Sequence, residues 1–282
     1  MKLEFTKMQG CGNDYVYVNG FTQRIQKDKK KNLAITLSDR HFGIGSDGVI
    51  FINPSDIADF EMEMYNADGS RAEMCGNGIR CVAKYVYDHG MTDRTEFTIE
   101  SFGKVKYISV TVKDTKAQLI RVDMGEPELK SDKIPVISDK EKVIDEPIEA
   151  EDRKLRMTCV SMGNPHTVIF EDPDTVGLEY IGPLIENHRL FPKRTNTEFV
   201  KVIDRKNVRM RVWERGTGET LACGTGCCAT AVACVLNGLT DRKITVHVLG
   251  GDIDIEWDEK DNHIYMTGPA VTVFTGEVEI EG

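Results

Sequence analysis

Two cysteines stand at equivalent points of two similar stretches. The first is Glu73-Met74-Cys75-Gly76-Asn77-Gly78-Ile79-Arg80-Cys81, and the second is Leu221-Ala222-Cys223-Gly224-Thr225-Gly226-Cys227. In each, a cysteine is followed by Gly-polar-Gly and then by an apolar run with helical spacing. Each run stops at a glycine fifteen residues past the cysteine, Gly90 and Gly238. A glycine after the cysteine lets a ligand approach the backbone. The next N–H groups are the unsatisfied donors of a helix start, and they favour a carboxylate. The same potential lowers a thiol pKa from about 8.5 toward neutrality. Each stretch therefore joins an acid/base group to an anion site. Two such sulfurs facing each other across one cleft would flank a stereocentre. A thiolate would take its proton from one face and a thiol would deliver one to the other. The thiols would then titrate as a coupled pair.

The duplication extends beyond the cysteines. Asn66 and Glu214 each lie nine residues before a cysteine, at the end of an alternating strand and on its apolar side. A polar group there needs a partner. A turn would satisfy one copy, and two copies point to a ligand. The pairs Gly12-Asn13 and Gly163-Asn164 lie about sixty residues upstream of the cysteines. Repetition on this scale implies two similar halves.

The elements that must carry these groups follow from periodicity. Strands are expected at 2–8, 14–19, 59–66, 95–101, 104–113 and 117–124, with a short helix at 29–38 and a longer one after Cys75. In the second half a helix at 175–190 matches 29–38, and strands at 243–249, 252–257 and 262–267 follow the Cys223 helix. That helix is rich in alanine and cysteine in its early turns, so strands are expected to enclose it. Residues 126–153, charged and holding three prolines, read as the crossing point and a surface excursion, with the second half proper beginning near Leu155. The fold class is α+β, with two pseudo-symmetric domains, each a curved β-barrel-like sheet around a central helix. The domains are 1–125 and 126–269, with a last strand at 270–282 that returns to the first.

Composition bounds the partners. The chain has 282 residues and a net charge of −10. The acidic balance argues against nucleic acid or an anionic membrane surface. No apolar run is long enough to span a bilayer. A cytoplasmic location is expected, where the eight cysteines would be thiols rather than a disulfide framework. Their spacings fit no common zinc pattern, so no metal is expected. The turn at 40–48 is not a dinucleotide fingerprint, because a strand follows it. Cys81 and Cys234 read as small core residues. Cys227 and Cys228 suggest no function. A single nucleophilic cysteine with His166 as base would leave the duplicate cysteine idle.

Seven stretches together resemble the diaminopimelate epimerase family: Gly12-Asn13-Asp14, residues 65–70, 74–81, Gly163-Asn164-Pro165-His166, Arg194-Thr195-Asn196, Trp213-Glu214-Arg215-Gly216 and 222–226. They span nearly the whole chain. The resemblance implies interconversion of LL- and meso-2,6-diaminoheptanedioate, on the route to lysine and peptidoglycan, with no cofactor. It implies Cys75 and Cys223 as the catalytic pair. Gly76, Asn77, Gly224 and Thr225 would hold the carboxylate of the reacting centre. Asn13, Asn66, Asn164, Asn196, Glu214 and Arg215 would grip the rest of the diamino diacid. His166 and Glu214 would flank the centre and assist. A homodimer is implied, as is the two-domain barrel-like fold. One departure is Gly48, where some members carry a substrate-contacting glutamine. The nearest alternative is a proline or hydroxyproline racemase of the same fold. Asn77 argues against it, because those enzymes typically have His there.

Overall fold

A computed structural model of the protein describes residues 2–72 and 75–280. Met1, Glu73, Met74, Glu281 and Gly282 lie outside the described residues, so the opening of the Cys75 stretch and the end of the 270–282 strand have no structural account. The chain forms two compact units: Met1–Val122 with Gly268–Gly282, and Asp123–Thr267.

The first unit begins with β1 (Lys2–Gly10), β2 (Asn13–Asn19), α1 (Lys27–Ser38), β3 (Gly48–Asn53) and β4 (Phe60–Asn66). The helix α2 (Gly76–Asp88) follows, then β5 (Glu96–Ser101), β6 (Lys104–Lys113) and β7 (Lys116–Gly125). Neighbouring strands pair in chain order. β1–β2, β3–β4, β5–β6 and β6–β7 are antiparallel, and β2–β3 and β4–β5 are parallel. The parallel steps each need a crossover, supplied by α1 and α2.

The second unit repeats this with β8 (Glu146–Ala150), β9 (Arg153–Ser161), β10 (Pro165–Ile169), α3 (Leu178–Glu186), β11 (Asn196–Val202) and β12 (Asn207–Glu214). It continues with β13 (Gly218–Thr220), α4 (Gly224–Leu236), β14 (Lys243–Val248), β15 (Gly251–Trp257) and β16 (Ile264–Pro269). β10–β11 and β12–β14 are its parallel steps. They span α3 and α4, as the first unit's span α1 and α2. The final strand, β17 (Val271–Glu279), pairs antiparallel with β1, just as β8 pairs with β9. Each unit thus gains the same outermost strand from a different part of the chain.

Both central helices are enclosed. α2 is buried without a break from Gly76 to Val86, and α4 from Gly224 to Cys234. Small side chains let the sheet close around α4. Cys227, Cys228 and Cys234 are among them, each fully buried, the usual place of a cysteine that fills space. Both helices stop the same way. Gly90 and Gly238 adopt left-handed φ of 67° and 70°, and their amides return to Tyr87 and Val235. Glycine takes this conformation without a Cβ penalty.

The outer helices cover the other face of each sheet. Leu33, Ala34 and Leu37 of α1 pack with Val49, Phe51 and Tyr65. In the second unit Ile181 and Ile185 of α3 pack with Phe199. Residues 126–153 are a surface excursion only in part: 137–142 are exposed, whereas the apolar residues around them are not. Ile134, Val136, Val143, Ile148 and Ala150 are buried in the α3 core, and 146–150 form β8. The prolines and charges around them break the alternation that would have marked a strand.

Candidate active site

Each cysteine caps its helix. Cys75 is the residue before α2, with φ −133° and ψ 108°, and its Sγ accepts the Gly78 amide at 3.2 Å. Cys223 stands before α4 with φ −114° and ψ 109°, and its Sγ accepts the Gly226 amide at 3.4 Å. Serine or threonine commonly fills this position. Sulfur does so here, with an acidic proton in addition.

Around Cys75 the first unit assembles a polar strip. The thiol donates to Asn13 Oδ1 at 3.3 Å. Asn13 Nδ2 in turn donates to Asp47 Oδ2 at 2.7 Å. Asp47 also receives Arg40 at 3.0 Å, and Asp14 is held by Lys7 at 2.5 Å and Arg40 at 2.7 Å. Burial works to raise the Asp14 pKa, but the Arg40 and Lys7 contacts outweigh it and hold the carboxyl below its ordinary value. Behind Cys75, Arg80 is fully buried. It donates to Asn77 Oδ1 at 2.9 Å and to Gly76 O at 3.2 Å, which fixes the first turn of α2.

Tyr15 is a residue that sequence reasoning missed. It is buried and hydrogen-bonded to Cys75. Burial, with the Cys75 and Asp47 charges, pushes its pKa far up, so it is a phenol at neutral pH. The signal was available: Tyr15 is two residues past Asn13 on a strand, hence on the same face. Asn66 lies in the row that carries Tyr15, since Tyr15 pairs with Gly48 and Gly48 with Asn66. Its amide caps the following turn through Ser70 at 3.0 Å. Gly48 has no room for a side chain. A Cβ there would come within 2.1 Å of Tyr65 O and 3.0 Å of the Tyr15 ring.

Around Cys223 the second unit builds a longer chain of contacts. Thr225 Oγ1 lies 3.5 Å from the sulfur and accepts Asn164 Nδ2 at 3.3 Å. His166 Nε2 lies 3.1 Å from Asn164 Oδ1, and His166 Nδ1 lies 2.6 Å from Glu198 Oε1. On another side Glu214 is hydrogen-bonded to Cys223 and to Thr220. Asn196 opposes His166 across β10 and β11. It donates to Pro165 O at 2.8 Å and accepts the Arg215 amide at 2.9 Å. The Arg215 guanidinium donates to Lys193 O at 3.0 Å. Asn164, His166, Asn196, Glu214 and Thr225 are thus linked around Cys223 or its neighbours, and Arg215 joins through its backbone.

One expectation fails at Cys223. The helix start should lower the thiol pKa, yet burial raises it well above 9.0, and the charges of Glu214 and Glu198 add to that. The Thr225 hydroxyl and the Gly226 amide oppose the rise and do not overcome it. Glu214 is itself raised, by burial first and by Glu198 next, against Thr220, His166 and Cys223.

Among the described residues no cluster of three or more His, Cys, Asp and Glu could hold a metal ion. No helix among them is long and apolar enough to cross a membrane.

The family profile described as diaminopimelate epimerase matches residues 5–130 and 158–273, which together hold both cysteines. The chain belongs to the diaminopimelate epimerase family. It is an enzyme of the epimerase type, an isomerase. A diaminopimelate epimerase of Agathobacter rectalis is 58% identical, over 99% of this chain and 100% of that protein. Among solved structures the fold is shared with a phenazine biosynthesis protein of Bacillus anthracis. Its TM-score is 0.70 and its identity 16%, covering 99% of this chain and 100% of that one. A probable proline racemase of Agrobacterium radiobacter K84 has a TM-score of 0.72 and 13% identity, over 99% of this chain and 93% of that one. Identity at that level carries the fold alone.

Proposed function

We propose that the protein interconverts LL- and meso-2,6-diaminoheptanedioate by two-base proton transfer at the α-carbon, in the supply of lysine and peptidoglycan precursors. One of Cys75 and Cys223 takes the α-proton as a thiolate, and the other delivers a proton as a thiol from the opposite face. The centre inverts, and the two sulfurs exchange protonation states. No redox step occurs, so the chemistry calls for no electron carrier. The observation that supports this most is the equivalence of the two cysteines. Each is an N-cap whose sulfur accepts the amide of the glycine three residues on.

The amides of Gly76, Asn77, Gly224 and Thr225 serve the carboxylate beside the reacting carbon, where negative charge builds as the proton leaves. Asn13, Asn66, Asn164 and Asn196 supply neutral donors and acceptors for the rest of the substrate. Glu214 suits an ammonium, and Arg215 suits a second carboxylate, which it would hold bidentately. His166 and Glu214 assist at the reacting centre. The reading extends to a homodimer in the cytoplasm, for which light scattering and fractionation are the checks.

The test is incubation of reduced protein with LL-diaminopimelate and no added pyridoxal phosphate, following the LL/meso ratio by chiral chromatography. Formation of meso product is expected. Inversion of proline with no action on diaminopimelate would replace the substrate assignment.

A further inference from the structure

The two half-sites share a frame but not their chemistry. In the first unit Tyr15 follows Asn13 by two residues and pairs with Gly48. In the second, His166 follows Asn164 by two and pairs with Asn196. Counting two residues on from each pairing partner gives Ile50 and Glu198. Their places against the central helices agree. A Cβ on Gly78 would meet Ile50 Cδ1 at 2.8 Å, and one on Gly226 would meet Glu198 Oε1 at 2.7 Å. The first unit therefore fills this place with tyrosine and isoleucine, and the second fills it with histidine and glutamate.

Packing does not account for Glu198. It is fully buried, and Ile50 fills the equivalent place with an apolar side chain. Among the described residues Glu198 Oε2 has no hydrogen-bond partner. Among the described residues its polar anchor is His166, at 2.6 Å. A buried carboxylate so thinly satisfied is unfavourable for stability by itself. The start of α4 beside it offsets part of that cost, because a helix N-terminus favours negative charge.

We propose that Glu198 is a positioning residue for the reaction. It holds the Nδ1–H of His166 and so aims Nε2 along Asn164 and Thr225 toward Cys223. A histidine whose far nitrogen is held by a carboxylate keeps one ring orientation. The link from Glu198 to the sulfur runs through His166, Asn164 and Thr225, by contacts of 2.6, 3.1, 3.3 and 3.5 Å. Other titratable groups face this cluster. They are Glu214 at the end of β12, Cys223 before α4, and Cys159 of β9. Tyr15 and Ile50 offer no such proton-holding pair, so the device belongs to the Cys223 side alone. This inference rests on the two-thiol reading.

The test has two arms. In the wild-type protein, nitrogen NMR of labelled histidine is expected to show a proton on His166 Nδ1, hydrogen-bonded to the Glu198 carboxylate. A neutral ring protonated only at Nε2 would overturn the proposal, whatever the activity. In Glu198→Gln, which keeps the volume, kcat is expected to fall ~10- to 100-fold with KM nearly unchanged. A limb of the kcat pH profile should move, and the His166 nitrogen signals should move with it. Loss of stability with an unchanged pH profile and unchanged nitrogen signals would reduce Glu198 to a structural residue and contradict the proposal. If Cys223→Ser retained turnover, the two-thiol reading would fail, while the NMR arm would still report on Glu198.

Discussion

Gly226 lies so close to Glu198 that a methyl group on it would come within 2.7 Å of Glu198 Oε1. The equivalent methyl on Gly78 would come within 2.8 Å of Ile50 Cδ1. These similar distances have different consequences. The tip of an isoleucine swings aside at little cost, whereas Glu198 is pinned by His166. Gly226→Ala is therefore expected to cost about 1–3 kcal/mol and to reduce turnover at least ~10-fold. Gly78→Ala should stay within about 1 kcal/mol of wild type. Urea unfolding midpoints and kcat of the two variants check this.

The Cys223 thiol is expected to stay protonated at neutral pH. Its pKa is raised well above 9.0, by burial first and by Glu214 and Glu198 after it. The check is the ultraviolet thiolate absorbance of wild type minus that of Cys223→Ser, followed against pH. No difference is expected near neutrality, with a difference emerging only above 9.0. In Glu214→Gln the same signal should appear at lower pH, because one of the raising charges is gone.

Stability of the first unit depends on a buried ion pair between α1 and β4. Lys30 donates to Glu63, and both side chains are at most 10% exposed. Tyr65 and Asn53 add hydrogen bonds to the same carboxylate, at 3.0 and 2.9 Å. Burial works to raise the Glu63 pKa, but Lys30 and these donors hold it below its ordinary 4.5. A depressed carboxylate stabilises the fold above its unfolded pKa and loses that contribution as pH falls through the folded value. Lys30→Met should destabilise by roughly 3 kcal/mol at neutral pH, since it leaves the buried Glu63 carboxylate with Arg71, 3.8 Å away, as its counter-charge. The gap between variant and wild type should shrink as pH falls below 4.5. Urea titrations at neutral and acidic pH measure both parts.

Much of this architecture was legible because the chain repeats itself. The matched Cys-Gly-polar-Gly stretches and their stop glycines located α2 and α4, and the alternating runs located most strands. What was hidden depended on tertiary cover. Glu63 reads as the solvent side of an alternating strand, and it does lie opposite Met62 and Met64. α1 then covers that face and buries it. The apolar residues of 126–153 are spaced too irregularly to show a period, so their place in the α3 core was invisible. Tyr15 reads as an ordinary strand residue, and Glu198 lies on no strand that the pattern marks. Only the pairing of β2 with β3, and of β10 with β11, brings them beside the cysteines or their helices. The Cys223 pKa was misjudged because the helix start is visible in sequence, while burial and the two carboxylates are not.

The central claim is that two thiols share one proton transfer. Its most direct measurement is solvent exchange in D2O. Reduced wild-type protein and the Cys75→Ser and Cys223→Ser variants would each be incubated with LL-diaminopimelate, following deuterium at the α-carbon together with the LL/meso ratio. In the wild type, deuterium should enter with inversion. Each variant should lose inversion by at least ~100-fold. Near-normal inversion in either variant would show that its cysteine is not one of the two bases, and the account would fail.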